Sequence, residues 1–89
     1  MQVSIPTPLR NITGNRDVVE ATGATVKELL QDLERQFPGI RERLLDPQGN
    51  VRRFINIYIN GEDIRFLQDQ ATPIKPTDEI SIVPAVAGG

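Results

Sequence analysis

The spacing of apolar residues changes twice along this chain, from every second position to a three-and-four rhythm and back again. Val3 and Ile5 alternate with Gln2 and Ser4, the period of a strand with one buried face, closing at Pro6 or Pro8. Residues 11–16 hold Thr13, Gly14 and Asn15, a turn-rich cluster, and Asp17-Val18-Val19-Glu20-Ala21 then reads as a second strand folding back on the first. Thr25-Val26-Lys27-Glu28 is a capping box, in which the Thr25 hydroxyl accepts from the N3 amide and Glu28 accepts from the Thr25 N–H. Beyond it Val26, Leu29, Leu30, Leu33 and Phe37 line one stripe of a helix, which Pro38-Gly39 ends. In a chain with one long helix, the sheet needs that stripe as cover.

Ile40, Leu44 and Leu45 predict a short second turn of helix or a packed loop before the Asp46-Pro47-Gln48-Gly49-Asn50 turn. Phe54-Ile55-Asn56-Ile57-Tyr58-Ile59 is the strongest strand signal, with the isoleucines facing the helix and Phe54, Asn56 and Tyr58 facing away. Asn60-Gly61 suits the positive φ angles of a type I′ turn, so Asp63-Ile64-Arg65 is expected to pair back. An irregular passage follows, in which Ala71-Thr72-Pro73-Ile74 supplies two apolar residues to the floor of the core. Pro76-Thr77-Asp78-Glu79 turns the chain into a last strand from Ile80 to Val83, with Ile80 and Ile82 inward. Pro84, lacking an N–H to donate, is expected to end the ladder there.

A hairpin, one crossing helix and a final strand that returns to the middle allow the first and last strands to pair in parallel beneath the helix. This is the α+β β-grasp arrangement, a mixed sheet of four to five strands covered on one face by one main helix. The domain spans 1–83, and 84–89 form a flexible tail. The other face of the sheet is open. Phe54 and Tyr58 fall there as candidates for docking a partner, although two scattered surface aromatics also need no special role.

Composition narrows the function classes. With 89 residues, 38% of them hydrophobic, the chain builds one small core and has little surplus for a catalytic cavity. The absence of Cys and His excludes a disulfide, a zinc knuckle, a thiol nucleophile and a Ser-His-Asp triad. A net charge of −2 and a pI near 5.0 leave no footprint for nucleic acid or an anionic membrane. Arg41, Arg43, Arg52 and Arg53 are interspersed with Glu42 and Asp46 and read as a solvated face. No leader or membrane-spanning run is present, which points to the cytoplasm. The glycines stand singly, without phosphate-loop spacing, and Glu62-Asp63 reads as a solvated edge rather than a metal site or carboxylate pair. No catalytic residue, bound metal or bound cofactor is expected of this chain.

What remains is the end of the chain, Pro84-Ala85-Val86-Ala87-Gly88-Gly89. Six extended residues reach roughly 20 Å, enough to enter a partner's active site, and the two glycines fit a narrow channel. The terminal carboxylate, with a reference pKa of about 3.3 to 3.7, is anionic and a poor electrophile at neutral pH. An enzyme holding ATP and Mg²⁺ could convert it to an acyl-adenylate, from which a sulfur donor or an amine displaces AMP. A frayed terminus is the plain alternative.

This ending, preceded by Asp78-Glu79-Ile80-Ser81-Ile82-Val83, resembles that of the ubiquitin-like sulfur carriers, the family of the thiamin and molybdopterin carrier proteins. Together with the run from Phe54 to Phe66, it resembles more narrowly the carrier of the thiocarboxylate-dependent route to cysteine. The resemblance implies that Gly89 is adenylated and thiocarboxylated by an E1-like enzyme. It makes Gly88 the required neighbour, and Pro84, Ala85, Val86, Ala87 and Gly88 the threading segment. On the cysteine route it implies a PLP-dependent cysteine synthase that builds a carrier-cysteine adduct, and a JAMM-type zinc peptidase that releases cysteine. A molybdopterin or thiazole synthase is the alternative acceptor. ATP and Mg²⁺ would be bound by the activating partner, and the carrier would be a free monomer. Ala85, Val86 and Ala87 replace the basic residues of ubiquitin, and Lys27 and Lys75 are the only lysines, which argues against chain formation. Conjugation of Gly89 to lysines of other proteins, and an interaction domain with an inert tail, are the competing functions.

Overall fold

In the computed structural model, which describes residues 1–84, the alternating segments become strands β1 (Gln2–Ser4), β2 (Val18–Glu20), β3 (Ile55–Ile59), β4 (Glu62–Asp63) and β5 (Ile80–Pro84). Helices α1 (Val26–Gln36) and α2 (Ile40–Leu44) lie between β2 and β3 in the chain. The sheet order is β2-β1-β5-β3-β4, with β5 at the centre, parallel to β1 and antiparallel to β3. This is the expected mixed sheet. Period-2 alternation turns Val3, Val19, Ile57, Ile80 and Ile82 inward, where they join Val26, Leu29, Leu30 and Leu33 of α1 in one core. Ile40 and Leu44 of α2 are buried in the same cluster.

The capping box forms only in half. Thr25 Oγ1 accepts from the Glu28 N–H at 3.3 Å, but among the described residues no bond returns from the Thr25 N–H to the Glu28 carboxylate. The helix entry is held instead by residues 72–74: the Val26 N–H donates to Thr72 O at 3.1 Å and the Ile74 N–H donates to Ala24 O at 3.0 Å. This pairing gives the segment strand-like alternation. Thr72 and Ile74 are therefore buried, whereas Ala71 and Pro73 are exposed, so one of the two core plugs is polar. Burying Thr72 is tolerated because its hydroxyl accepts from the Gln68 N–H at 2.9 Å.

Two further expectations are corrected. Asn60 and Gly61 take φ 51° and 88°, as the type I′ turn requires, but pairing ends at Asp63 instead of running to Arg65. The Asp63 carboxylate accepts from the Arg65 N–H at 2.9 Å, and that local bond winds Ile64–Phe66 into a 3₁₀ turn which buries Ile64. Pro84, in turn, does not stop the ladder at Val83; it is the last residue of β5, opposite Ile55.

Hydrogen-bond parity explains why a proline fits there. The Asn60 N–H donates to Glu79 O at 2.8 Å, one step in register beyond Ile59 and Ile80. Antiparallel pairs alternate, so Tyr58 with Ser81 and Asn56 with Val83 are hydrogen-bonded pairs, and Ile55 with Pro84 is not. The Pro84 nitrogen thus faces the β1 side. There β1 has already stopped, at the level of Ser81.

Gly23 packs so closely that a Cβ on it would lie 2.6 Å from Leu29 N and 2.9 Å from the Glu28 carbonyl carbon. Gly23→Ala must push the first turn of α1 outward, and we expect a loss of roughly 1–3 kcal/mol in denaturant unfolding.

Candidate functional site

The last described residues of β5, Val83 and Pro84, are still paired with Asn56 and Ile55 at the start of β3, and these four residues form one corner of the sheet. Parity again directs the backbone: the polar groups of Ile55 point away from β5, toward an edge that β4 is too short to cover. Arg65 covers it. Its Nη2 donates to Ile55 O at 2.6 Å, and its Nη1 donates to Asn56 Oδ1 at 2.7 Å, while Asp63 Oδ2 lies 3.8 Å from Nη1. A side chain therefore stands in for the missing end of β4, and it clasps the two β3 residues that oppose Val83 and Pro84.

On the open face of the sheet, Tyr58 lies opposite Ser81 and Asn56 opposite Val83. Tyr58 is half-buried, and Val83 and Val18 are exposed. Phe54 was expected on that face as part of the strand, but β3 begins at Ile55 and Phe54 sits in the preceding turn with 53% of its surface exposed. It lines a different feature, a cleft of about 470 Å³ that it shares with Arg43, Asp46, Arg52, Arg53 and Ile55. The structure does not bring Phe54 and Tyr58 together in that cleft. Phe66, 86% exposed on the turn after Ile64, is an aromatic that the periodicity did not single out. The Asp63-Ile64-Arg65 sequence, with its capacity for a local Asx turn, is the signal that could have found it.

The arginine side of this corner is set by α2. Gly39 takes φ 101° at its start and offers no side chain for a cap. The Glu34 carboxylate supplies one, accepting from the Arg41 N–H at 3.0 Å and from the Gly39 N–H at 3.0 Å. The Arg41 and Gly39 bonds hold Glu34 below its ordinary pKa of 4.5. Asp32 is likewise lowered, first by its bonds to the Arg35 side chain and then by the Thr22 N–H. Among the described residues no group of His, Cys, Asp and Glu converges in a way that could hold a metal ion. No described helix is long and apolar enough to cross a membrane. Of the segment expected to thread a partner's active site only Pro84 is described; Ala85, Val86, Ala87, Gly88 and Gly89, expected to carry the thiocarboxylate, lie outside the described residues.

A five-stranded mixed sheet with its last strand at the centre and one main helix over one face defines the class of ubiquitin-like β-grasp proteins. Residues 3–89 match the ThiS family, and the chain belongs to it. It is 51% identical over 89 residues to the sulfur carrier protein CysO of Mycobacterium tuberculosis, spanning 98% of this chain and 96% of that protein. The crystal structure of that CysO superposes with a TM-score of 0.92 at 48% identity, over 96% of this chain and 98% of the other. A chain of the Amycolatopsis orientalis BexX/CysO complex superposes with a TM-score of 0.91 at 48% identity, over 99% and 98% respectively.

Removing the clasp should loosen the corner. Arg65→Ala is expected to lower stability by about 1 kcal/mol, since the guanidinium is partly exposed, and to raise hydrogen-exchange rates at Val83. Acid should act through Glu34 and Asp32: their lowered folded-state pKa values stabilise the fold above the unfolded values, near 4.5 and 3.8, and that contribution is lost as pH falls through the folded values. Denaturant midpoints measured against pH should thus fall below about pH 4, with a shallower fall in Glu34→Gln.

Proposed function

We propose that this chain is a sulfur carrier for cysteine synthesis, in which the Gly89 carboxylate is adenylated by an E1-like enzyme and converted to a thiocarboxylate. The observation that carries this reading is similarity along nearly the whole chain to a protein named as a sulfur carrier, in a family match that extends to Gly89. The sheet supports it, because β5, the strand that precedes the Gly-Gly end in the chain, is paired on both sides.

In the activating step a carboxylate oxygen attacks the α-phosphorus of ATP and pyrophosphate leaves. Hydrosulfide, or a donor at that oxidation level, then adds to the acyl carbon and AMP departs with one of the original carboxylate oxygens. Sulfur takes its place. ATP and Mg²⁺ belong to the activating enzyme, which neutralises charge on the phosphates as pyrophosphate forms. The carrier supplies position rather than catalysis: a rigid body, a tail of limited reach and two terminal residues without side chains. A PLP-dependent synthase then receives the sulfur as a carrier-cysteine adduct, and a JAMM-type zinc peptidase frees the cysteine. Tyr58 on the open face and Phe54 at the corner are the aromatic contacts for these partners. A relative crystallised in the BexX/CysO complex supports association with another protein as part of the role.

Incubation with the E1-like enzyme of the same genome, ATP, Mg²⁺ and sulfide should yield a species in which one oxygen is replaced by sulfur, read by intact-protein mass. Deletion of Gly89 should abolish that species while leaving the circular dichroism unchanged. If no adenylating enzyme of the genome produces it from the full chain, the reading is wrong.

A further inference from the structure

We propose that the cleft formed by Arg43, Arg52, Arg53 and Phe54 is a docking surface for an acidic segment of the adenylating enzyme, placed beside the entrance to its active site. The inference rests on the sulfur-carrier reading and adds the surface, the chemistry and the partner element that it fits.

Position is the first argument. Ile55 forms part of the cleft wall and is the register partner of Pro84, so that wall residue lies about one strand spacing, ~4.8 Å, from the last described residue. Five residues follow Pro84, and covalent geometry limits their reach to roughly 18 Å. An enzyme that holds the Gly89 carboxylate must therefore bring the rim of its active site against this corner. The far edge of the sheet at β2 has no such obligation.

Charge is the second. The three arginines are exposed, and among the described residues none has a carboxylate within ion-pair distance. Among the described residues Asp46 is the only acid in the lining, and its Oδ1 already accepts from the Gln48 and Asn50 N–H groups at 2.9 and 3.0 Å. Arg52 is oriented by a bond from its Nε to Glu42 O at 3.0 Å. Arg65, by contrast, is committed internally to Ile55, Asn56 and Asp63. Three guanidiniums gathered on a protein of net charge −2 form a local site of the opposite sign, which carboxylates can meet with bidentate hydrogen bonds. Phe54, more than half exposed among them, offers apolar contact area for the aliphatic part of such a segment. A polynucleotide fits this cleft less well. Three cationic contacts release few counterions, and the rest of the chain repels a polyanion.

The test is the dependence of ATP–pyrophosphate exchange on carrier concentration, measured with the adenylating enzyme at several salt concentrations. For the wild-type chain KM should rise with salt. Arg53→Glu should raise KM at low salt roughly tenfold, leave kcat at saturating carrier within about twofold, and remove most of the salt dependence. Arg43→Gln, which deletes charge without reversing it, should move KM in the same direction by a smaller factor. Arg16→Glu changes net charge equally at a separate cleft and should leave KM within about twofold. Circular dichroism confirms that each variant is folded. A folded Arg53→Glu with wild-type KM and salt response overturns the docking surface while exchange itself upholds the carrier reading. Equal effects of Arg16→Glu and Arg53→Glu would reduce the result to net charge and also overturn it, as would arginine-dependent binding of a single-stranded RNA with KM unaffected. Failure of the wild-type chain to support exchange overturns both proposals.

Discussion

The seat of β5 between β1 and β3 is the contact on which the rest of this structure depends. Ile80 and Ile82 complete the core under α1, and no other strand joins the hairpin of β1 and β2 to that of β3 and β4. The pairing is non-local, bringing Val3 against Ile80, so its loop-closure cost must be offset by the burial it creates under α1. Its register is tightly specified. A slip of one residue would turn both isoleucines to solvent and aim the proline's missing N–H at β3, which makes it the single pairing that satisfies burial and hydrogen bonding together. Pro84, the last described residue, is thereby fixed in register against Ile55.

Around that strand, charged side chains finish what the backbone leaves incomplete. Arg65 takes over the edge of β3 where β4 has turned away, and Glu34 caps α2 where Gly39 has no side chain to do so. Both are semi-exposed interactions of modest strength, and both serve placement more than stability. Arg65 shapes the wall opposite Val83 and Pro84. Glu34 orients the short helix that carries Arg43 to the neighbouring cleft. The corner thus has two faces, one hydrogen-bonded inward and one charged outward.

Most of the fold was legible because its period signals were clean. The Thr25 cap, the stripe from Val26 to Leu33, the isoleucine alternation of β3 and the Asn60-Gly61 turn each act over a few residues, and each appears where it was expected. Misreadings arose where a local bond competed with the period. Asp63 captured the Arg65 N–H and ended β4 early, and Thr72 followed a backbone pairing with the helix entry rather than its own polarity. Pro84 was misplaced for a different reason. The rule that proline ends a ladder assumes a neighbour on both sides, and which neighbours a strand has is not a local property.

The sequence by itself determined the element types, the faces they bury and the absence of thiol and imidazole side chains, because these follow from residue type and short-range spacing. Only the tertiary structure decided that Pro84 belongs to the sheet, that Arg65 crosses to clasp the opposite wall, and that Arg43 joins Arg52 and Arg53 around Phe54. Those relations depend on which segments meet after the chain has closed on itself. A parity set at Asn60 and Glu79, nineteen residues apart, orients a proline five residues further on. Spacing along one strand carries no record of its neighbour's register, and that is the physical reason the corner became visible only once β5 was in place.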